Sequence, residues 1–303
     1  MTRSVNTIRA KVRHPRSAQL LRPLAVASLL SLGASGAAWA AGECRVTPTG
    51  AGLADGSNWA NAATLKGALA LPGCSELWLK QGTYIPVSAQ EWTDAGAGPS
   101  PAAAQKALRS TFFAVPRPLK LYGGFAGTET VLGNRASVDA TLTILSGEIG
   151  KTTAMPTRFF PPGDTQAQFD FAGTPEDNSF RIMVIGQDTA GNPTPGAFTS
   201  GTMVIDGVTF EGSHGDSIKE GALTCFAVNQ QCGLTLNNAV IRNNTAEGGS
   251  AGLQLNYNDG TTGVTDVLVT KSLFIDNWVR SGGYGGAIGP TQEATATTEP
   301  VKL

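Results

Sequence analysis

The stretch Ser272-Leu-Phe-Ile-Asp-Asn-Trp-Val-Arg-Ser-Gly-Gly-Tyr-Gly-Gly-Ala-Ile288 decides how this chain is read, because two looser copies of it lie upstream. The copies align as Ile205-Asp-Gly-Val-Thr-Phe210-Glu-Gly-Ser213, Leu236-Asn-Asn-Ala-Val-Ile241-Arg-Asn-Asn244 and Val269-Thr-Lys-Ser-Leu-Phe274-Ile-Asp-Asn277. From Ile205 to Leu236 and from Leu236 to Val269 the offsets are 31 and 33 residues. Each copy is followed by a Gly-rich turn and a second apolar run, at Gly221-Ala-Leu223, Ala251-Gly-Leu253 and Gly286-Ala-Ile288. A period in this range marks a repeat architecture before any single residue is weighed.

The repeated runs are short, rich in Val, Ile, Phe and Thr, and bounded by Gly, Asn, Asp and Ser, which is the pattern of strands between turns. The unit is therefore all-β. With no hairpin signal inside a unit, each strand is expected to pair with the same strand of the next unit at the ~4.8 Å spacing of a sheet. Equivalent residues then stand in rows, with Ile205, Leu236 and Val269 in one inward row and Phe210, Ile241 and Phe274 in another. Such rows give a continuous core that no single unit could bury.

Phe274-Ile-Asp-Asn277 followed by Gly285-Gly-Ala-Ile288 resembles the paired FxxN and GGAI motifs of the polymorphic outer-membrane protein repeats. Ile241 departs from the motif's Phe, and Ser213 from its Asn. The front of the chain resembles the lead-in segment of the same group of bacterial surface proteins. There Asp55-Gly-Ser-Asn-Trp-Ala60 precedes a short helix, with strands at Glu76–Tyr84, Leu119–Glu129 and Thr143–Ile149. The resemblance covers roughly residues 50 to 150 and 203 to 289 and implies a right-handed parallel β-helix, a single-stranded solenoid with a short N-terminal capping helix. Such passengers are displayed at the bacterial surface.

Arg3, Arg9, Lys11, Arg13, Arg16 and Arg22 precede the apolar run Leu24 to Leu32, and Ala38-Trp-Ala40 supplies small residues for cleavage. Residues 1–40 thus read as a secretory signal peptide, too short in its apolar part to span a bilayer. Without them, sixteen Lys and Arg face twenty-three Asp and Glu. An acidic chain argues against nucleic acid or an anionic membrane as partner. Cys44, Cys74, Cys225 and Cys232 all lie in the exported part, where pairing of sequence neighbours is expected, Cys44 with Cys74 and Cys225 with Cys232. One His outside the signal and no CxxC pair argue against zinc.

The β-domain is expected over 41–289, with lead-in and cap at 41–75, irregular units at 76–200 and regular repeats at 203–289. Asn61 to Leu71 reads as an amphipathic helix ended by Pro72-Gly73, a lid over the first unit, with Trp59, Trp78 and Tyr84 packed beneath it. Ala89 to Ala107 and Lys151 to Pro175 read as surface excursions, the second barred from regular pairing by Pro161-Pro-Gly163. Phe180 to Ile185 reads as a strand and Asp188 to Ser200 as a loop. Residues 290–303 are polar with no cap signal, and read as the end of a truncated or shortened surface protein.

Gly248-Gly-Ser-Ala-Gly252 matches GxSxG, but no His follows Ser250 and the pattern is an accident of Gly-rich turns. His214 reads as a solvated loop residue. Stacking the repeats sets Glu211, Arg242 and Ile275 in one row and Gly212, Asn243 and Asp276 beside it. An arginine among carboxylates is the raw material of a polysaccharide lyase, with calcium as its cofactor. A compensating charge ladder explains the same row, and no catalytic or metal site is assigned. Asn244 and Asn277 stack at a bend, where their amides can form a structural ladder. Asn256-Tyr-Asn-Asp-Gly260 reads as a plain turn.

The functional expectation is an adhesin-like passenger at the outer-membrane surface, in the extracellular medium or in the periplasm. It would present inter-unit loops to a glycan or protein on a host or cell surface, held to the membrane at most through a missing C-terminal part. A carbohydrate-active enzyme (lyase or glycoside hydrolase) or carbohydrate-binding protein is the alternative, and a non-catalytic stalk or fragment the second alternative.

Overall fold

A computed structural model of the chain describes residues 42–149, 157–159, 168–170, 177–187, 202–215, 221–227, 233–257, 267–279 and 285–292. All lie within one compact unit, Ala38–Leu303. Residues 1–40, read above as a signal peptide, Cys232, residues 188–200, read above as a loop, and the residues beyond 292 lie outside the described residues.

The architecture is all-β, built mainly of parallel sheets with few helices. Four parallel sheets carry it. Sheet I stacks Gly42–Val46, Cys74–Lys80, Lys120–Phe125, Thr202–Asp206, Gly233–Asn237 and Val267–Thr270 in chain order. Sheet II stacks Gly82–Tyr84, Thr143–Ser146, Thr209–Glu211, Val240–Arg242 and Leu273–Ile275. Sheet III holds the two-residue strands His214–Gly215, Thr245–Ala246 and Trp278–Val279. Sheet IV stacks Phe113–Val115, Met183–Ile185, Leu223–Ala227, Leu253–Tyr257 and Ile288–Gln292. From residue 202 the chain passes through I, II, III and IV in that order three times.

The register sets like residues over like. Ile205 pairs with Leu236 and Leu236 with Val269, while Leu77 and Leu121 extend the row toward the N-terminus. Phe210 pairs with Ile241 and Ile241 with Phe274, preceded by Tyr84 and Leu145. Leu223 lies between Met183 and Leu253, and Leu253 pairs with Ile288. These rows converge in one apolar cluster. Ile205, Leu236, Phe210 and Ile241 are wholly buried, and Val269 and Phe274 partly so. Each fully buried side chain of this size contributes roughly 1.5–3 kcal/mol.

From residue 202 on, two-residue corners join I to II and II to III, and their chemistry repeats, whereas upstream a single residue (Gln81) and the long stretch 126–142 make the I-to-II connections. Gly207, Asn238 and Lys271 open the first corner, and Gly212, Asn243 and Asp276 the second, all with φ between +46 and +77°. Glycine, asparagine and aspartate adopt this left-handed conformation most readily, which explains five of the six residues. Lys271 takes the same turn at a steric cost.

At the N-terminal end, helix α1 (Leu65–Ala70) is shorter than the sequence suggests, because a separate 3₁₀ turn forms at Trp59–Asn61. Thr64 caps α1 by accepting from the Gly67 amide, and Leu65, Ala68 and Leu69 enter the core. The other end of α1 is held by Arg117, whose guanidinium donates to the carbonyls of Leu69, Leu71 and Cys74. The helix packs against strands 42–46, 74–80 and 113–115, where a lid would sit.

Three placements differ from the sequence reading. Trp78 is buried, but between Leu77 and Leu79 it points to the other face of sheet I, away from α1. There it stacks on Phe125 with ring centroids 4.8 Å apart, Arg45 lies 3.9 Å over it, and the Trp59 indole donates to the Glu129 carbonyl. Tyr84 does enter the core, its hydroxyl donating to the backbone of Lys80 and lying 3.1 Å from the Val46 carbonyl. The excursion at Ala89 to Ala107 is helical, with α2 at Ala89–Ala97 and α3 at Pro101–Arg109. A reciprocal Ser88/Glu91 capping box starts α2, and Pro101 begins α3. Finally, Thr157–Phe159 and Gln168–Asp170 pair antiparallel, so the stretch does hold regular pairing; Pro161-Pro-Gly163, named above as barring it, lies outside the described residues. This ribbon is a separate two-stranded sheet.

Gly123-Gly124 shows why the lead-in motif is glycine-rich. A Cβ on Gly123 would lie 2.1 Å from the Gly207 carbonyl oxygen, and one on Gly124 2.0 Å from that of Ser137. The carboxylate of Glu129, in the same motif, closes the following turn by accepting from the amides of Ala126, Gly127 and Thr128.

Candidate functional site

The row proposed for chemistry follows the strand register. Glu211 pairs with Arg242 and Arg242 with Ile275 along the outer edge of sheet II. Arg242 donates through Nε to Glu211 Oε2 at 2.7 Å. The next position is Ile275, 41% exposed, so the row carries one ion pair and then an apolar side chain. Asp276 occupies the left-handed corner after that strand, in line with Asn243 and Gly212. One partly exposed pair contributes at most about 1 kcal/mol. Among the described residues no group of three or more His, Cys, Asp or Glu comes together to hold a metal ion.

One corner inward, the asparagines form a continuous hydrogen-bonded column. Asn244 is fully buried. Its Oδ1 accepts from the amide and hydroxyl of Ser213 at 3.0 and 3.1 Å. Its Nδ2 donates to the Phe210 carbonyl at 3.1 Å and to Asn277 Oδ1 at 2.9 Å. Asn277 in turn donates to the Ile241 carbonyl at 2.7 Å. Each amide thus ties its own bend to the unit before it. Ser213, where the repeat motif has Asn, takes part as hydroxyl donor at the head of the column.

A second polar column runs on the outer face of sheet I. Asp206 accepts from Arg135 at 2.6 Å and from the side-chain amides of Asn237 and Asn238, and Thr270 donates to Asn237 Oδ1 at 2.8 Å. Arg135 comes from the chain between sheets I and II and also faces the Tyr122 ring, 5.7 Å away. Burial pushes the Tyr122 phenol up, with the carboxylates of Glu76 and Asp206 adding to the effect. Sequence reasoning missed this cluster because Arg135 lies outside every repeat.

The remaining candidates are absorbed by structure. His214 is not a solvated loop residue: it opens a sheet III strand, half-buried, with Nδ1 2.7 Å from Thr245 Oγ1. Ser250 is fully buried, bridged to Gly285, and its amide donates to Gln254 Oε1. No elbow presents it to solvent. Cys44 and Cys74 form a disulfide across the first two strands of sheet I, with Cα atoms 5.5 Å apart. Cys225 is disulfide-bonded as well, while Cys232 lies outside the described residues. Of Asn256-Tyr-Asn-Asp-Gly260, only Asn256 and Tyr257 are described, as the end of a strand. Among the described residues no helix is long and apolar enough to cross a membrane, which says nothing of a β-barrel.

Comparison of the chain with family models, with curated proteins and with solved structures finds no match.

Proposed function

We propose that the protein is an exported, surface-associated passenger whose parallel strands close into a right-handed parallel β-helix, and that it acts by adhesin-like binding through the chain segments between its sheets. The observation that carries this reading is an asymmetry among the connections. Gly207-Val208, Asn238-Ala239 and Lys271-Ser272 join sheet I to II, and Gly212-Ser213, Asn243-Asn244 and Asp276-Asn277 join II to III. These corners have one length and are laced by side-chain ladders. The stretches from III to IV, residues 216–222, 247–252 and 280–287, vary in length, as do those from IV to I, 228–232 and 258–266. Upstream, 85–112 and 147–182 are longer still. Constant corners beside variable segments suit a rigid rod that displays changeable binding surface on one flank.

Export agrees with the basic, apolar and small-residue succession over 1–40 and with the Cys44–Cys74 disulfide, which an oxidising compartment favours. The partner is a glycan or protein on another surface. Polysaccharide cleavage is the weaker reading, because Arg242 already donates through Nε to Glu211 and the row then ends in Ile275.

The test pairs a glycan and matrix-protein array with an assay for unsaturated products from polyuronates, with and without calcium. Saturable binding that is lost when 258–266 is shortened, with no unsaturated product, is the expected result. A calcium-dependent elimination rate abolished by Arg242→Ala would replace the proposal with a lyase. Silence in both assays would leave the stalk reading.

A further inference from the structure

Among the described residues sheet I ends on Val267–Thr270. The Asn238 amide donates to the Thr270 carbonyl, so Thr270, and with it Leu268, turns its backbone groups toward the preceding strand. Along a parallel strand these groups alternate in side, and those of Val267 and Val269 therefore face the outer edge. The apolar cover thins at the same level. Ile205, Leu236, Phe210 and Ile241 are wholly buried, whereas Val269 and Phe274 are only partly so, and Leu268 on the outer face is 54% exposed. An edge of this kind is a template for one more strand.

The chain itself carries a matching segment. The inward pairs Met203/Ile205, Leu234/Leu236 and Val267/Val269 begin 31 and 33 residues apart and stand in register. After Ile288–Gln292 the first such pair larger than alanine is Val301/Leu303, which begins 34 residues after Val267. Its distance along the chain also fits. The links from sheet IV to sheet I hold five residues at 228–232 and nine at 258–266, and 293–300 holds eight.

We propose that Val301–Leu303 docks as a further parallel strand on the outer edge of Val267–Thr270, with Val301 over Val267 and Leu303 over Val269, and that it guards this edge against pairing with a second copy. In that register the Lys302 amide donates to the Val267 carbonyl, and the Lys302 carbonyl accepts from the Val269 amide. Lys302 stands outward over Leu268, where its methylene stem covers the exposed side chain and its ammonium stays in water. Pro300 precedes the strand, where a missing N–H breaks no ladder bond. A link of eight residues holds the segment at a millimolar effective concentration, above that of a second copy in dilute solution, so the chain's own segment takes the edge. The inference rests on the parallel register of sheet I and not on the display reading.

The test is amide hydrogen exchange at Val269 in the full chain and in the double variant Val301→Asp with Leu303→Asp, at several protein concentrations, with sedimentation run alongside. In the parent this amide should exchange at least about tenfold more slowly than in the dilute double variant, with Gly233–Asn237 unchanged between them. Lys302→Ala keeps the backbone and both inward side chains and should keep the protection. The double variant should self-associate as its concentration rises, and the parent should not. Equal exchange at Val269 in parent and dilute double variant would overturn the proposal, as would loss of protection in Lys302→Ala or a double variant that stays monomeric throughout. Protection in both chains that disappears on dilution would overturn it in favour of a second copy on the same edge.

Discussion

Replacing Asn244 by Ala should be the most damaging single change in the regular part of the chain. The substitution removes four hydrogen bonds at once and leaves Ser213 N–H, Ser213 Oγ, the Phe210 carbonyl and Asn277 Oδ1 without that partner. Ser213 and Phe210 are themselves buried, so water cannot readily replace the lost amide. Each orphaned buried group costs roughly 1–3 kcal/mol, and relaxation of the Ser213 hydroxyl recovers part of it, so the loss is set at about 3–5 kcal/mol. Asn277 lies in the outermost described unit, is half-buried, and donates one strong bond, so Asn277→Ala should cost only about 1–2 kcal/mol. The pair should also be coupled by about 0.5–1 kcal/mol through the direct 2.9 Å contact. Urea unfolding followed by circular dichroism, on both single variants and the double, measures all three quantities. A cost below about 1 kcal/mol for Asn244→Ala, or equal costs for the two single variants, would refute the view that this column binds one unit to the next.

Arg117→Ala should loosen α1 before the rest of the molecule by removing donors to three carbonyls, and hydrogen exchange should show faster opening of Leu65–Ala70, with a stability loss of about 1–3 kcal/mol. Cys44→Ala combined with Cys74→Ala removes a crosslink spanning 30 residues and should cost about 3–4 kcal/mol by thermal or urea unfolding; a loss under about 1 kcal/mol would show that the first strands are held by packing alone. For Glu129, burial raises the carboxyl pKa, but amide donors from Ala126, Thr128 and Gly127 outweigh it and hold the group below the usual carboxylate range. Because its folded pKa is depressed, its contribution is fully present above the unfolded value, about 4.3, and fades as pH falls below that. Glu129→Gln should therefore destabilise at pH 7 and lose its penalty in acid, and a pH-independent difference from the parent would contradict this.

The register was readable because stacking imposes one chemical demand on every unit. An apolar residue must stand over an apolar residue at Ile205, Leu236 and Val269, and an amide must continue the column at Asn244 and Asn277. The corners were readable for the same reason, since a left-handed turn selects Gly, Asn or Asp. Short strands such as His214–Gly215 carry too few residues to show any periodicity, so His214 looked like loop. In Leu77-Trp78-Leu79 both faces are buried, and alternation could not say which way the indole pointed. Helices α2 and α3 hid behind an Ala, Gly and Pro composition, although Ser88 with Glu91 three residues on, and Pro101 after Ser100, were usable start signals. Arg117 and Arg135 act on partners more than forty residues away in sequence, a relation that local pattern does not contain.

The uniform corners have a practical consequence for anyone who wishes to graft foreign sequence onto this scaffold. One added residue at Val208 or Ala239 would turn the next strand over, exchanging its buried and exposed faces and breaking both amide columns. The intervals 216–222, 247–252 and 280–287 already differ in length while the strands beside them keep register. Since Gly248–Gly252 is buried, epitopes, tags or binding peptides belong at 216–220 or 280–284, where they should leave the stacked strands in register, and two such ports two levels apart would space their cargo by two strand separations, ~9.6 Å.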